Sequence, residues 1–395
     1  MDKKIDQVSV SSQILGSVVR VPYSIAMGFV VGAFVWIMLQ VAYGAIDLVW
    51  GAPNLAWWYP IVVCTIGGLL IGLWESKNHT APKRMVEVMR QVRTEGTYEI
   101  KEPGKALVSF LLPLAFGATV GPEAGLTGFI VVGCLWVGKH LKASMKRELF
   151  RAEKFLLYTA GVAGGFLGVA AVSYVVGGGL ELPAFGAVQA GVKDIPAMIL
   201  LGLSGWMLAV LFNASQRVAL ALRHMLHDNE VAASTLCGLL LGLIGVVFPY
   251  VMFPGSAQST LVIETWQSLG FWTLFLTAIL KVVMLAFCLT LGWHGGPFFP
   301  LIFCGLSFGL SMSYAFGVDP SLAMTCVVVS FISRFMGNPF MGFFFVMSSI
   351  PVPSLIWAVV PALIGGKLPL PAWCVAAPQA PQESKEVAQE VVVAS

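Results

Sequence analysis

Charge is what this chain has least of. Asp, Glu, Lys and Arg make up 11% of its 395 residues and 57% are hydrophobic, whereas a soluble domain carries about 25% charged residues. With a mean hydropathy of +0.85, an ordinary water-soluble globule is excluded. Strict polar–apolar alternation over short strands is missing too, which sets aside an outer-membrane barrel. The seven cysteines (Cys64, Cys134, Cys237, Cys288, Cys304, Cys326 and Cys374) form no CxxC pair. They read as buried small hydrophobes rather than as metal ligands or a disulfide framework. No metal motif, nucleophile elbow or phosphate loop occurs, so nothing points to an enzyme or a cofactor. A formal net charge of +3 gives no reason to expect nucleic acid. A cleaved signal peptide is not expected either, because the first apolar run, about 21–50, is too long for an h-region.

Long apolar runs are what the chain has instead. They read at about 21–50, 55–74, 106–138, 155–178, 182–212, 232–253, 270–291, 296–317, 320–348 and 351–365. About 20 residues cross a bilayer, so the expected class is an all-α polytopic membrane protein. Its membrane part is expected over 21–371, after an N-terminal segment 1–20 and before a polar, disordered tail 372–395. Of 23 Lys and Arg, seven fall between Lys77 and Lys105 and six between Lys139 and Lys154, while Lys3, Lys4 and Arg20 precede the first run. The positive-inside rule puts these regions in the cytoplasm, which fits a plasma (inner) membrane. A short helix is expected at about Pro82–Val92.

The run 106–138 cannot be one straight crossing. As a helix it would be about 50 Å long at 1.5 Å per residue, and basic loops of the same predicted side flank it. Two partial helices meeting at Gly121-Pro122-Glu123-Ala124-Gly125 satisfy both constraints. Glu123 is the single Asp, Glu, Lys or Arg in that run. A carboxylate at membrane depth costs roughly 2.5–3.5 kcal/mol on insertion scales and is a functional candidate by default. The break around it frees backbone N–H groups, and such groups bind anions.

The chain also repeats itself weakly. Leu182-Pro183-Ala184-Phe185-Gly186-Ala187-Val188 is similar to Asn338-Pro339-Phe340-Met341-Gly342-Phe343-Phe344. Before each lies a glycine-rich break that opens an apolar segment, Gly121–Gly125 and Gly295-Gly296-Pro297-Phe298-Phe299-Pro300. Interrupted apolar segments at matching places in two halves point to a midplane site in a transporter fold. The halves are expected at about 21–215 and 230–371.

Over roughly residues 20–371 these elements resemble the CLC family of chloride channels and chloride/proton antiporters. Gly295-Gly296-Pro297-Phe298-Phe299-Pro300-Leu301-Ile302-Phe303-Cys304-Gly305, led by Lys281–Phe287, is similar to the family's GGxFxPxLxxG signature. Gly121–Gly125 resembles GxEGP, His79-Thr80-Ala81-Pro82 falls where the family has SGIP, and Asn338–Gly342 and Gly365-Gly366-Lys367 fit later positions. The resemblance implies two inverted half-repeats with tilted and broken helices, a homodimer, and a small monovalent anion, chloride first, held between helix N-termini. Glu123 is then the gate, occupying the anion's place when ionised and swinging away when protonated. Gly121, Ala124, Gly296, Phe298 and Phe299 line the path, with His79 and Thr80 at its inner end.

Four departures temper that expectation. His79 takes the place of the SGIP serine. Leu370 stands near the family's inner tyrosine. Pro297 fills the variable place of GGxFxP and lacks an N–H. Val192, beside Lys193 and Asp194, falls where antiporters carry an inner proton glutamate. Weakly coupled or uncoupled transport is therefore expected. The alternatives are a proton-coupled chloride or fluoride antiporter and, from another class, a non-conducting scaffold or sensor. Glu123 also reads as a helix cap, which shares the gate's location. His294 reads as a vestibule or pH-sensing histidine, and Lys281 as a structural or anion-attracting cation. Arg334 reads as a cap near a surface. His140, His224 and His227 read as solvated, and Glu181 and Asp194 as loop residues or a proton route.

Overall fold

The computed structural model describes residues 21–52, 55–83, 85–144, 151–177, 183–347 and 349–374. The segment 1–20, Glu181, Leu182 and most of the tail lie outside the described residues. Within them the chain forms thirteen α-helices and no strand. They are α1 (Val21–Trp50), α2 (Tyr59–Asn78), α3 (Met85–Glu95), α4 (Pro103–Ala115), α5 (Glu123–Ser144), α6 (Arg151–Val176) and α7 (Ile195–Met225). The rest are α8 (Glu230–Val247), α9 (Ser256–Thr290), α10 (Phe298–Phe316), α11 (Pro320–Met336), α12 (Pro339–Val346) and α13 (Ile356–Lys367). Among the described residues, seven helical stretches are long and apolar enough to cross a membrane. The protein is an integral, multi-pass membrane protein.

The run 106–138 divides as its length and flanks require, into α4 and α5, with Phe116–Pro122 between them. Two other runs differ from expectation because hydropathy does not register backbone breaks. The run 320–348 is two helices: Gly337 turns the chain at φ 64° and Asn338 caps α12 by accepting from Phe340 N. The run 270–291 is the second part of α9, which begins at Ser256 and kinks at Gly270, with φ 73° and ψ 169°. The short helix of the basic loop, α3, lies a few residues later than expected.

Two compact units interleave along the chain instead of following its linear halves. One takes the described residues up to Pro183 with Glu230–Glu264 and Gly292–Phe303; the other takes Ala184–Asn229, Thr265–Leu291 and the residues from Cys304 onward. In the first unit α1 packs on α6, and α2 on α8. A Cβ on Gly28 or Gly32 would run into the backbone of Gly161 or Gly165. Small residues at this spacing let helices approach closely, which in lipid replaces the missing hydrophobic drive. Ser24 Oγ adds a hydrogen bond to Leu157 O at 2.5 Å, and Trp36, Leu39, Phe110, Leu114 and Leu126 fill the core beside α1. In the second unit α7 packs on α11, where Ser330 Oγ donates to Gly202 O at 2.6 Å.

Candidate functional site

Two helices of the first unit begin in the same way. Gly121-Pro122-Glu123 opens α5 and Gly296-Pro297-Phe298 opens α10, and the first backbone bonds are Leu126 N to Pro122 O and Leu301 N to Pro297 O. Each proline stands just before the first helical residue, where its missing N–H would have found no intrahelical partner. The two glycines are stitched together. Gly121 N donates to Gly296 O and Gly296 N to Gly121 O, both at 2.6 Å, an isolated antiparallel bridge. Two helix N-termini, each worth about half a positive charge, are thereby held side by side.

The Glu123 carboxylate lies at this junction. Oε1 accepts from Phe299 N at 2.7 Å. Oε2 is buried and has no hydrogen-bond partner among the described residues. A Cβ on either Gly121 or Gly296 would collide with that carboxylate, so both positions need glycine for the close approach. In the first turn of α10 Pro300 has no N–H, and the Phe299 N–H is given to Glu123. Ala124, 6% exposed, lies in the facing first turn of α5.

Irregular backbone at membrane depth must be satisfied by protein, and the approach to this break is. Trp50 Nε1 donates to Ala115 O at 2.9 Å, Cys64 Sγ to Phe116 O at 3.4 Å, and Phe253 N to Gly117 O at 3.1 Å. Thr119 Oγ1 donates to Val251 O at 2.7 Å. Sequence reading named none of these supports, because each partner is distant along the chain.

The structure joins Glu123, Gly121, Gly296 and Phe299 directly and sets Ala124 and Phe298 beside them. His79 and Thr80 belong to a different cluster of the same unit. No hydrogen bond links either of them to Glu123 or Gly121 among the described residues. His79 ends α2 in the left-handed region at φ 50° and is exposed. Thr80 N donates to Glu75 Oε2 at 3.1 Å, and Thr80 Oγ1 lies 2.8 Å from Ser109 Oγ of α4. Trp74 Nε1 donates to Ser109 Oγ at 3.1 Å. Glu75 and Ser109 are 7% and 3% exposed. Sequence reading missed both, since Glu75 begins a polar stretch that looks like a loop.

The remaining candidates are placed as follows. In the second unit, Lys281 is fully buried in α9, and Arg334 Nη1 donates to Leu368 O at 2.9 Å, just before Leu370. Asp194 closes its own turn by accepting from Gly191 N at 2.8 Å, which fits the loop reading, and Val192 is 83% exposed. His224 is exposed and lies 3.5 Å from Asp228. His294, in the first unit, is half-buried two residues before the glycine bridge. No cluster suited to a metal ion occurs among the described residues.

Comparison with known proteins bears on this arrangement. Residues 167–368 match the family model described as voltage gated chloride channel. The voltage-gated ClC-type chloride channel ClcB of Salmonella typhimurium is 24% identical over 324 residues, covering 71% of this chain and 75% of that protein. The crystal structure of a CLC-type fluoride/proton antiporter superposes with a TM-score of 0.65 at 17% identity, covering 87% of this chain and 93% of the other. That of a slow cyanobacterial Cl–/H+ antiporter gives 0.66 at 15% identity, covering 87% and 92%. At such identities the structural likeness carries the fold, with its inverted half-repeats and broken helices. The family model spans just over half of the sequence, and the chain belongs to the voltage-gated chloride channel (CLC) family of membrane anion-transport proteins.

Proposed function

We propose that the protein passes chloride, or a similar small monovalent anion, through a path gated by Glu123, with weak or no coupling to protons. The observation that carries this reading is the seat of the Glu123 carboxylate on Phe299 N, with its second oxygen unpartnered between two helix starts. A group that takes a backbone donor with one oxygen and nothing with the other is held lightly. The partial positive charge it occupies is what a dehydrated anion needs, and no Lys or Arg stands in either break to trap one. Ionised, Glu123 competes for the place; protonated, it yields it. Weak coupling is supported by Val192 at the place of the antiporters' inner glutamate.

The same reading puts the basic loops and the N-terminus in the cytoplasm, the protein in the inner membrane and its working form as a homodimer. Purified protein in liposomes tests the gate. Glu123→Gln is expected to pass anions with the pH dependence removed; unchanged pH-dependent flux in that variant overturns the assignment. Proton uptake driven by a chloride gradient tests the coupling, and stoichiometric uptake overturns it. The fluoride/proton antiporter likeness favours a second reading, fluoride export. Parallel fluoride and chloride fluxes separate the two, and folded protein that passes neither anion is a scaffold or sensor.

A further inference from the structure

The described residues of the second unit hold three carboxylates, and each is engaged. Asp194 accepts from Gly191 N at 2.8 Å, and Asp319 accepts from Leu322 N at 2.8 Å at the start of α11. Asp228 lies 3.7 Å from Arg223 Nε and 3.5 Å from His224 Nδ1. Helices α7, α11 and α13 contain no Asp or Glu. Arg217 of α7, Arg334 of α11 and Lys367 of α13 accordingly have no carboxylate partner among the described residues.

The two arginines hold instead the main chain of one short segment. Arg334 Nη1 donates to Leu368 O at 2.9 Å, joined there by Trp206 Nε1 at 3.3 Å. Arg217 Nη1 donates to Trp373 O. The segment Leu368–Cys374 thus leaves α13 with a guanidinium near each end, and it follows α7 from Trp206 to Arg217. A neutral carbonyl offsets a full positive charge only in part. A guanidinium carries five N–H donors. One of each is spent here, and Arg334 Nε is buried with no partner among the described residues. Arginine charge beside lipid is costly without a counter-charge, so this end of the unit suits an anion.

The setting selects the kind of anion. Helix α7 ends in Arg223 and His224, which marks its water side. Arg217 stands about two turns before them, within reach of the headgroup layer for a long side chain. On the neighbouring line of α7, Leu200, Met207, Val218 and Met225 are all exposed. They lie seven or eleven residues apart, close to whole turns of the helix, and so form one apolar track. Trp373 is 63% exposed, as suits an indole at the membrane–water boundary. A free ion has no use for the track; a lipid with acyl chains does.

We propose that Arg217, on the segment it shares with Trp373, binds the phosphate of an anionic phospholipid whose chains follow the exposed track of α7. A guanidinium fork matches two phosphate oxygens at once. Arg334 and Lys367, at the other end of the segment, add attraction for negative headgroups. The site is independent of which ion passes beside Glu123.

Native mass spectrometry of the full chain tests this, after release from nanodiscs of equal phosphatidylglycerol and phosphatidylcholine. Phosphatidylglycerol should be retained several-fold over phosphatidylcholine. Arg217→Gln should lower that retention about fivefold, the order for one basic side chain at an anionic membrane surface. Arg217→Lys keeps the charge without the fork and should lose only a part. Lys193→Gln, beside the opposite end of α7, is the control and should lose none. Arg217 is exposed, so these variants should elute from a sizing column as the parent does. Equal retention of the two lipids, or phosphatidylglycerol retention unchanged in Arg217→Gln, overturns the site. Inorganic phosphate that displaces phosphatidylglycerol at equal concentration makes it a free-anion site, and a changed oligomeric state in Arg217→Gln makes this surface an interface between copies. Either result overturns the lipid assignment.

Discussion

Two carboxylates are sunk in the first unit, and they are held in opposite ways. Glu123 has a single backbone donor on Oε1 and a bare Oε2. Glu75 Oε2 accepts from the backbone amide of Thr80, in the turn that follows its own helix, and Thr80 is tied in turn to a Ser109 hydroxyl that is itself fixed by an indole. Burial alone therefore does not identify a moving part. A carboxylate seated on another helix's amide with its second oxygen bare can exchange places with a ligand, whereas one that caps the end of its own helix is a fixture.

The comparison can be broken by experiment. The largest effect is expected from Glu123→Gln: chloride flux at neutral pH should rise tenfold or more and become flat with pH, as about 10- to 100-fold follows from losing one charge-assisted contact. Liposome efflux assays read this directly. Next is Glu75→Ala, which strands the Thr80 amide in a buried corner beside Ser109. It should lower stability by roughly 2–3 kcal/mol, the range for buried bonds to a charged group, seen as a lower thermal midpoint in detergent. Glu123→Ala in the same assay should change stability by less than about 1 kcal/mol, because loss of its bond to Phe299 N is offset by removing a buried carboxylate with one unpartnered oxygen. Gly296→Ala should push the Glu123 carboxylate from its seat and reproduce a part of the Glu123→Gln phenotype with that carboxylate still present. The smallest effect belongs to Trp74→Phe, which removes one neutral donor from Ser109 and should cost about 1 kcal/mol with the pH profile of flux otherwise intact.

Much of this was legible in the residues. The excess length of 106–138 between two basic loops forced a break, and the glycines and proline located it at Gly121–Gly125, next to Glu123. The membrane class followed from composition, and the pairing of breaks from their matching order. What stayed hidden depends on contacts between distant segments. Nothing local says that Gly121 bonds Gly296, 175 residues further on. Glu75 looked like the edge of a loop because Ser76, Lys77 and Asn78 follow it, yet α2 continues through them and Ser109 arrives from α4. The kink at Gly270 and the stop at Gly337 were missed because apolar runs continue past backbone turns.

The stitched glycines have a consequence for how this protein can be altered. The spacing between the starts of α5 and α10 is set by two main-chain bonds, so no rotamer or side-chain exchange can widen or narrow it. Ala124, Phe298, Phe299 and even the ring of Pro297 can vary around a ruler of constant length. If anions take the proposed path, its width there is a property of the backbone, and the side chains beside it are left to decide which ion passes and when.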